Sequence, residues 1–385
     1  MFKVKVELDE KHVVLSNFLI NGLSSNLPFA IWSPPQAKEF SALLSLEVPQ
    51  LRLIVIETGS PGFVIAPFKN AEGGFFLNAD YYYSGSSGLL TSTHANFEEK
   101  DFIQKKSLIN SLPEFSEEVR TQNYTQIVAL AKDRIRQGQL KKVVIAREDL
   151  IHVEQMDLIE LIFELRNHYQ DAFISLVFIP PYGVWLGATP ELLIEVNKEK
   201  VFRTIALAGT QRDNLPTNTF EASWTQKEIE EQALVNRYII NCFKHLRLRD
   251  YEDEGPRTVK AGDLLHLRTD FSVDMKKLDT PLLGSQMLSL LHPTSAVGGM
   301  PREEALTFID LFENIDRKLF SGYLGPVNIE EETSLYVNLR CANIFNNHAV
   351  LYAGAGITQD SDPQKEYLET ELKMATIGKF LKRRS

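Results

Sequence analysis

Glu366, Glu369 and Lys373 lie at positions i, i+3 and i+7 of one helical pattern, and Glu228 and Glu231 at i and i+3 of another. This spacing places each set on one helix face. Two helices that each present paired carboxylates carry the oxygen ligands that a hard divalent cation such as Mg2+ takes. Such pairs also make ordinary solvated helix faces, so spacing alone leaves both readings open.

Other residues stand where the chain pattern changes. GAGIT (354–358) leaves the apolar strand VLYA, and Gly354 there permits close backbone approach to a ligand or a plain tight turn. AGT (208–210) follows RTIAL, so Gly209 and Thr210 either cradle a carboxylate or reverse the chain. Lys142 begins the apolar run VVIA. At a strand edge it is a solvent-facing gatekeeper; buried, it is a candidate general base. Glu191 sits in the polar island of GATPELL, as a turn residue or a general acid of raised pKa. His292, in LLHPTS, is a proton carrier or a residue meeting a helix dipole. Arg340 has apolar neighbours in VNLRCANI, and a buried guanidinium needs an anion, for which a substrate carboxylate serves.

These side chains need a large scaffold. The chain has 385 residues, 44% hydrophobic and 24% charged, which suits one large or two fused globular units. A net charge of −10 argues against a nucleic-acid partner, and it requires that any anionic substrate be held by a local pocket. Cys242 and Cys341 have no zinc-like spacing and read as buried thiols in a reducing cytoplasm. MFKVKVELDE lacks a signal peptide's apolar stretch. No run nears the roughly 18 apolar residues of a membrane span.

Periodicity predicts short strands through the first hundred residues, with a hairpin of LRLIVIE (51–57) and GFVIAPF (62–68) and a further strand over 73–83. Residues 95–123 read as a charged connection with helical pieces. Helices are predicted over 122–137, 157–169, 281–291 and 302–313. Another starts at a Thr225–Glu228 capping box, and the last opens at Asp362 and Pro363. Strands are predicted over 141–147, 173–179, 183–189, 192–197, 201–208, 264–273, 322–328, 333–345 and 348–356. Consecutive strands with helices between groups imply an α+β fold with mainly antiparallel sheet.

The ordered set KVVIAR, GATPELL, ALAGT, KEIEEQ, LLHPTSAVGGMPR, LRCANI, YAGAGI and EYLETELK resembles the chorismate-utilising enzymes, over residues 120–380. Residues 1–110 resemble that family only loosely. The resemblance implies one chorismate-binding unit over 1–385, built of two large, mainly antiparallel sheets packed together with helices outside. It matches Lys142 to the water-activating lysine and Glu191 to the family acid. It matches Glu231 and Glu369 directly, and Glu366 through water, to the Mg2+ ligands. Arg340, Lys373 and the Gly354 backbone match groups that hold substrate carboxylates. Ala208 stands where aminodeoxychorismate synthase carries a nucleophilic lysine, so an amine nucleophile is absent. Gln232 departs from the histidine that often follows the metal-binding glutamate.

The activity so implied is conversion of chorismate to isochorismate, with HPTSAVGGMP leaning towards the menaquinone type. Salicylate synthesis, or an inactive chorismate-binding protein, is the alternative. The expected cofactor is Mg2+ and the expected partner chorismate alone. A cytoplasmic monomer is expected, with no glutamine amidotransferase subunit, no nucleic acid and no membrane.

Overall fold

The computed structural model describes residues 2–5, 11–57, 59–69, 73–93, 112–115, 123–154, 156–180, 182–212, 222–261, 264–278 and 280–382. Among them two antiparallel sheets dominate. The first has eleven strands, in the order β1 (Phe2–Lys5), β8 (Leu89–Ser92), β7 (Tyr81–Ser84), β3 (Ser41–Leu44), β2 (Phe29–Ser33), β10 (Phe173–Ile179), β11 (Gly183–Thr189), β19 (Cys341–Ile344), β20 (His348–Ile357), β9 (Lys142–His152) and β16 (Gly299–Met300). The second has nine, in the order β14 (Glu252–Ala261), β15 (Leu264–Asp274), β13 (Val201–Arg212), β12 (Leu192–Val196), β18 (Thr333–Val337), β17 (Tyr323–Val327), β5 (Gly62–Ala66), β6 (Gly74–Asn78) and β4 (Leu51–Arg52). The described helices are α1 (Lys11–Ser25), α2 (Tyr124–Arg136), α3 (Leu158–His168), α4 (Gln226–His245), α5 (Leu283–Leu291), α6 (Arg302–Phe312) and α7 (Pro363–Lys382).

Strand alternation explains the layering. In β10, FISLVFI is buried throughout. Ile174, Leu176 and Phe178 enter a core shared with α1, α3 and α7. Phe173, Val177 and Ile179 face the other way, into a core with Phe63, Ile65 and Leu324 of the second sheet. One strand thus feeds two hydrophobic layers because successive side chains point to opposite faces. A third core joins the second sheet to α2, α4, α5 and α6, so helices cover both outer faces.

Of the chain segments that pass from one sheet to the other, two are hydrogen-bonded to each other. Thr189, Pro190 and Glu191 carry the chain from β11 to β12, and Asn338, Leu339 and Arg340 carry it from β18 to β19. The crossings are laced together. Ala188 N donates to Arg340 O at 3.0 Å and Val337 N to Glu191 O at 2.9 Å. Thr189 Oγ1 donates to Val337 O at 2.7 Å. Arg340 takes a positive φ of 48° in its crossing.

Several expectations need correction. Of LRLIVIE only Leu51–Arg52 is strand, and it pairs with β6 rather than forming a hairpin with β5. The N–H of Ile56 instead goes to Ser285 Oγ of α5, 3.0 Å away. Residues 73–83 are two strands in different sheets, β6 and β7, and 333–345 likewise divides into β18 and β19. α1 occupies a stretch read as strand; its Val14, Phe18 and Gly22 recur every fourth residue and are buried. β14 was not foreseen, because EDEGPRTVKA is charged and has no apolar alternation. The connection over 95–123 lies largely outside the described residues. No helix among the described residues is long and apolar enough to cross a membrane.

Candidate active site

A cavity opens beside the two crossings. Its walls include Glu191 and Arg340 from the crossings, Leu207, Ala208, Gly209 and Thr210 from β13, and His266 from β15. Glu231 of α4, Gly354 of β20 and Lys373 of α7 also line it, while Val144, Val297, Phe320 and Leu339 supply apolar wall. The geometry follows from local structure. β13 carries an irregular register between Ala208 and Gln211, with Gly209 at φ 69°. α4 is aimed by its capping box, in which Thr225 N donates to Glu228 Oε2 at 2.7 Å. α7 starts where Gln364 N and Lys365 N donate to Asp362 Oδ1 at 3.0 and 2.9 Å.

Lys142 is fully buried, so it is no solvent-facing gatekeeper. Its Nζ lies 2.8 Å from Glu231 Oε1 and so meets the cavity through that carboxylate. Gly356 makes room for the pair: a Cβ there would overlap Glu231 Oε1 and stand 2.8 Å from Lys142 Cε. Burial pushes Glu231 up, but Lys142 and Lys227 outweigh it and hold the carboxyl at about 2. Glu191 has the opposite fate. Burial raises it to about 7 despite Lys142, Lys373 and Arg340, with Glu231 adding to the rise.

The other sequence-predicted carboxylates are also matched by cations. Glu366 Oε1 lies 2.6 Å from Lys227 Nζ, and Glu369 Oε1 2.7 Å from Lys373 Nζ. Lys227 is itself 3.9 Å from Glu369 Oε2. Burial disfavours the Lys227 ammonium, yet Glu366, Glu369 and Glu231 together keep its pKa above the ordinary value. Burial and Glu369 push Glu366 upward, against Lys227. Among the described residues no group of three or more His, Cys, Asp or Glu side chains stands at metal-holding spacing. Lys373 also donates to Gly354 O at 2.9 Å, which ties α7 to β20. Burial lowers Arg340 to about 10, partly offset by Glu369.

His292 is not brought to the cavity. Its Nε2 faces Phe68 O at 3.3 Å and its ring meets Tyr323 edge-on. Two groups are not signalled by sequence motifs: His266, which lines the cavity, and Lys227, which pairs with Glu366. His266 was hidden in an apolar strand; its Nδ1 lies 2.7 Å from Gly209 O and its Nε2 3.5 Å from Arg340 Nη2. Burial, with Arg340 beside it, lowers His266 to about 3, so the ring is neutral. The second is Lys227, one helical turn before Glu231, whose spacing was the available signal. Gln232 is buried and ties α4 to the second sheet, donating to Ala206 O at 3.2 Å and Thr269 Oγ1 at 3.1 Å.

A double-sheet sandwich with a polar cavity at its crossings defines a class, and sequence comparison agrees with it. A family model described as chorismate binding enzyme matches residues 83–382, and the chain belongs to that enzyme family. It is 31% identical over 264 residues to the isochorismate synthase EntC of Escherichia coli K12, an alignment spanning 66% of each protein, just under two thirds. It is 28% identical over 300 residues to the isochorismate synthase MenF of the same organism, covering 75% of this chain and 68% of that one. The solved structure of MenF, the menaquinone-specific isochorismate synthase from Escherichia coli, shares the fold. Its TM-score is 0.74 at 24% identity, over 92% of this chain and 89% of that one.

Proposed function

We propose that this chain is an isochorismate synthase that adds water at C2 of chorismate and expels the C4 hydroxyl. The observation that carries the reading is a pair of proton carriers with opposed surroundings. Lys142 is sealed from solvent beside Glu231, and Glu191 is raised to about 7, so that a substantial share of it carries a proton at neutral pH. A general acid and a general base kept apart by their environments are what exchange of two hydroxyls requires.

Lys142 takes a proton from water as its oxygen bonds to C2. The ring double bonds shift, and Glu191 gives its proton to the C4 hydroxyl, which leaves as water. Arg340 and Lys373, with the backbone at Gly354, hold substrate carboxylate. The apolar walls Leu207, Phe320 and Leu339 limit stray water. Ala208 provides no amine to compete with water.

Mg2+ belongs to the same reading. Glu231, Glu366 and Glu369 all act on one ammonium, Lys227, and Glu366 Oε2 is buried with no hydrogen-bond partner. Two carboxylate oxygens reach that ammonium, Glu366 Oε1 at 2.6 Å and Glu369 Oε2 at 3.9 Å, and acids gathered about one cation suit a hard divalent ion. Glu231 and Glu369 would hold it, with Glu366 alongside. When bound, the ion supplies Lewis-acid polarisation of the substrate's ring carboxylate.

The test is incubation of the pure protein with chorismate and Mg2+, followed by chromatography. Isochorismate without pyruvate is expected. Salicylate with stoichiometric pyruvate would overturn the assignment in favour of salicylate synthesis.

A further inference from the structure

β9 carries Lys142 at its start, and its two edges are treated differently. One edge pairs with β20 from Val143 to His152. The other meets β16 only at Lys142 and Val143, after which Val144 N donates to Gly298 O at 2.9 Å. The next groups on that edge are Val144 C=O and Ala146 N–H, in a core where Val144 is 5% and Ala146 0% exposed. Buried backbone groups of this kind must find partners. They find a side-chain pair. Arg317 Nη2 donates to Val144 O at 2.8 Å, and Ala146 N donates to Glu313 Oε2 at 2.7 Å. The two side chains are joined by Arg317 Nε to Glu313 Oε1 at 2.5 Å and Nη2 to Oε2 at 2.6 Å. Arg317 Nη1 also donates to Val297 O at 2.8 Å, and the guanidinium lies 4.2 Å from the Phe68 ring centroid.

The arrangement copies a strand edge: a donor for the carbonyl, an acceptor for the amide two residues on. It also binds two pieces of the cavity wall, Val144 and Val297, to one rigid planar group. We infer that Glu313 and Arg317 are positioning residues for the reaction, a side-chain clamp that stands in for a missing strand and fixes the Lys142 end of β9 against the cavity wall. The inference rests on the isochorismate synthase reading for its link to turnover. The clamp works through the order of donor and acceptor, not through charge attraction alone. Arg317→Lys keeps the charge but not the fork that reaches Glu313, Val144 and Val297 together.

The experiment compares wild type, Arg317→Lys and the exchanged double variant Glu313→Arg/Arg317→Glu. Steady-state kinetics with chorismate and Mg2+ are combined with amide hydrogen exchange at Ala146. The exchanged pair keeps mutual attraction but turns a donor towards Ala146 N–H. Both variants should lose about 10²-fold in kcat with KM within about threefold, because a displaced proton carrier harms chemistry more than binding. Ala146 should exchange faster in both. Recovery of kcat and slow exchange in the exchanged variant would overturn the clamp and leave a merely electrostatic pair. If that variant does not fold, Arg317→Lys decides: normal kcat with slow Ala146 exchange overturns the inference. The exchange measurement stands apart from the chorismate reading. Were the wild type to turn over no chorismate, faster exchange in Arg317→Lys would still support the clamp, and unchanged exchange would still defeat it.

Discussion

Lys142 Nζ and Glu231 Oε1 meet at 2.8 Å beside Gly356 of β20, where a side chain would hold them apart. The proposed base and a proposed metal ligand therefore depend on a third residue that does no chemistry.

That dependence makes Gly356→Ala informative. Its Cβ would overlap Glu231 Oε1 and press on Lys142 Cε at 2.8 Å. Overpacking of this kind costs about 1–3 kcal/mol. A Tm lowered by several degrees is expected, together with a fall in kcat of about 10-fold or more as the pair is displaced. Calorimetry and product assay on the same preparation check both.

Removing either proton carrier should separate turnover from binding. Lys142→Ala and Glu191→Gln are each expected to lower kcat by roughly 10²–10⁴ with a smaller change in KM. Near-normal turnover in Lys142→Ala would reduce the lysine to a buried counter-ion of Glu231.

The pH dependence has a defined sign. Glu191 must be protonated to act as acid, so kcat/KM should fall as pH rises through about 7. In stability terms its pKa in the fold is raised, so its contribution is full below the ordinary 4.5 and is lost as pH rises through about 7. Glu231, lowered to about 2, contributes above 4.5 and loses that contribution as pH falls through about 2. Denaturant titrations of Glu191→Gln should show a flatter stability curve between pH 4.5 and 7 than wild type. His266, at about 3, should add no activity limb near its ordinary 6.5.

Metal affinity should divide the acids of α4 and α7. Titration calorimetry should find Mg2+ binding weakened in Glu231→Gln and Glu369→Gln, each of which loses a charged ligand. Glu228→Gln should bind Mg2+ nearly as wild type, because its carboxylate serves the Thr225 cap. Its cost is the cap's, about 0.5–2 kcal/mol of stability. Full activity after exhaustive chelation would remove the metal from the mechanism.

Much of this molecule is legible along the chain where a single period governs. α4 and α7 could be placed because their caps, Thr225–Glu228 and Asp362, are chemical signals of a few adjacent residues. Strands buried on both faces, such as β10, showed as apolar runs. The readings that failed share a cause: the deciding partner is remote. Nothing in GGFFLNADYYY says that the chain changes sheets near Ala79, because each half pairs with different strands. The strand expectation over the first hundred residues fails at α1, where burial of the Val14, Phe18, Gly22 face sets a helical period.

The site divides in the same way. Residue types and motif resemblance brought Glu191, Glu231, Arg340, Gly354 and Lys373 to one cavity. His266 stayed hidden because burial, visible only in the fold, makes a strand histidine neutral and turns it towards Gly209 O. His292 had an equally suggestive motif, yet three-dimensional packing sends it to Phe68 O.

Two hydrogen-bonded crossings between the sheets carry Glu191 and Arg340 on the stitching of the sandwich rather than on its panels. Their lacing at Ala188, Thr189 and Val337 means that parting the panels tears out the acid and the guanidinium in the same event. Warming should therefore leave no folded sandwich with a dismantled cavity: the seam that closes the two layers is also the rim on which the substrate would rest, and both are lost at one temperature.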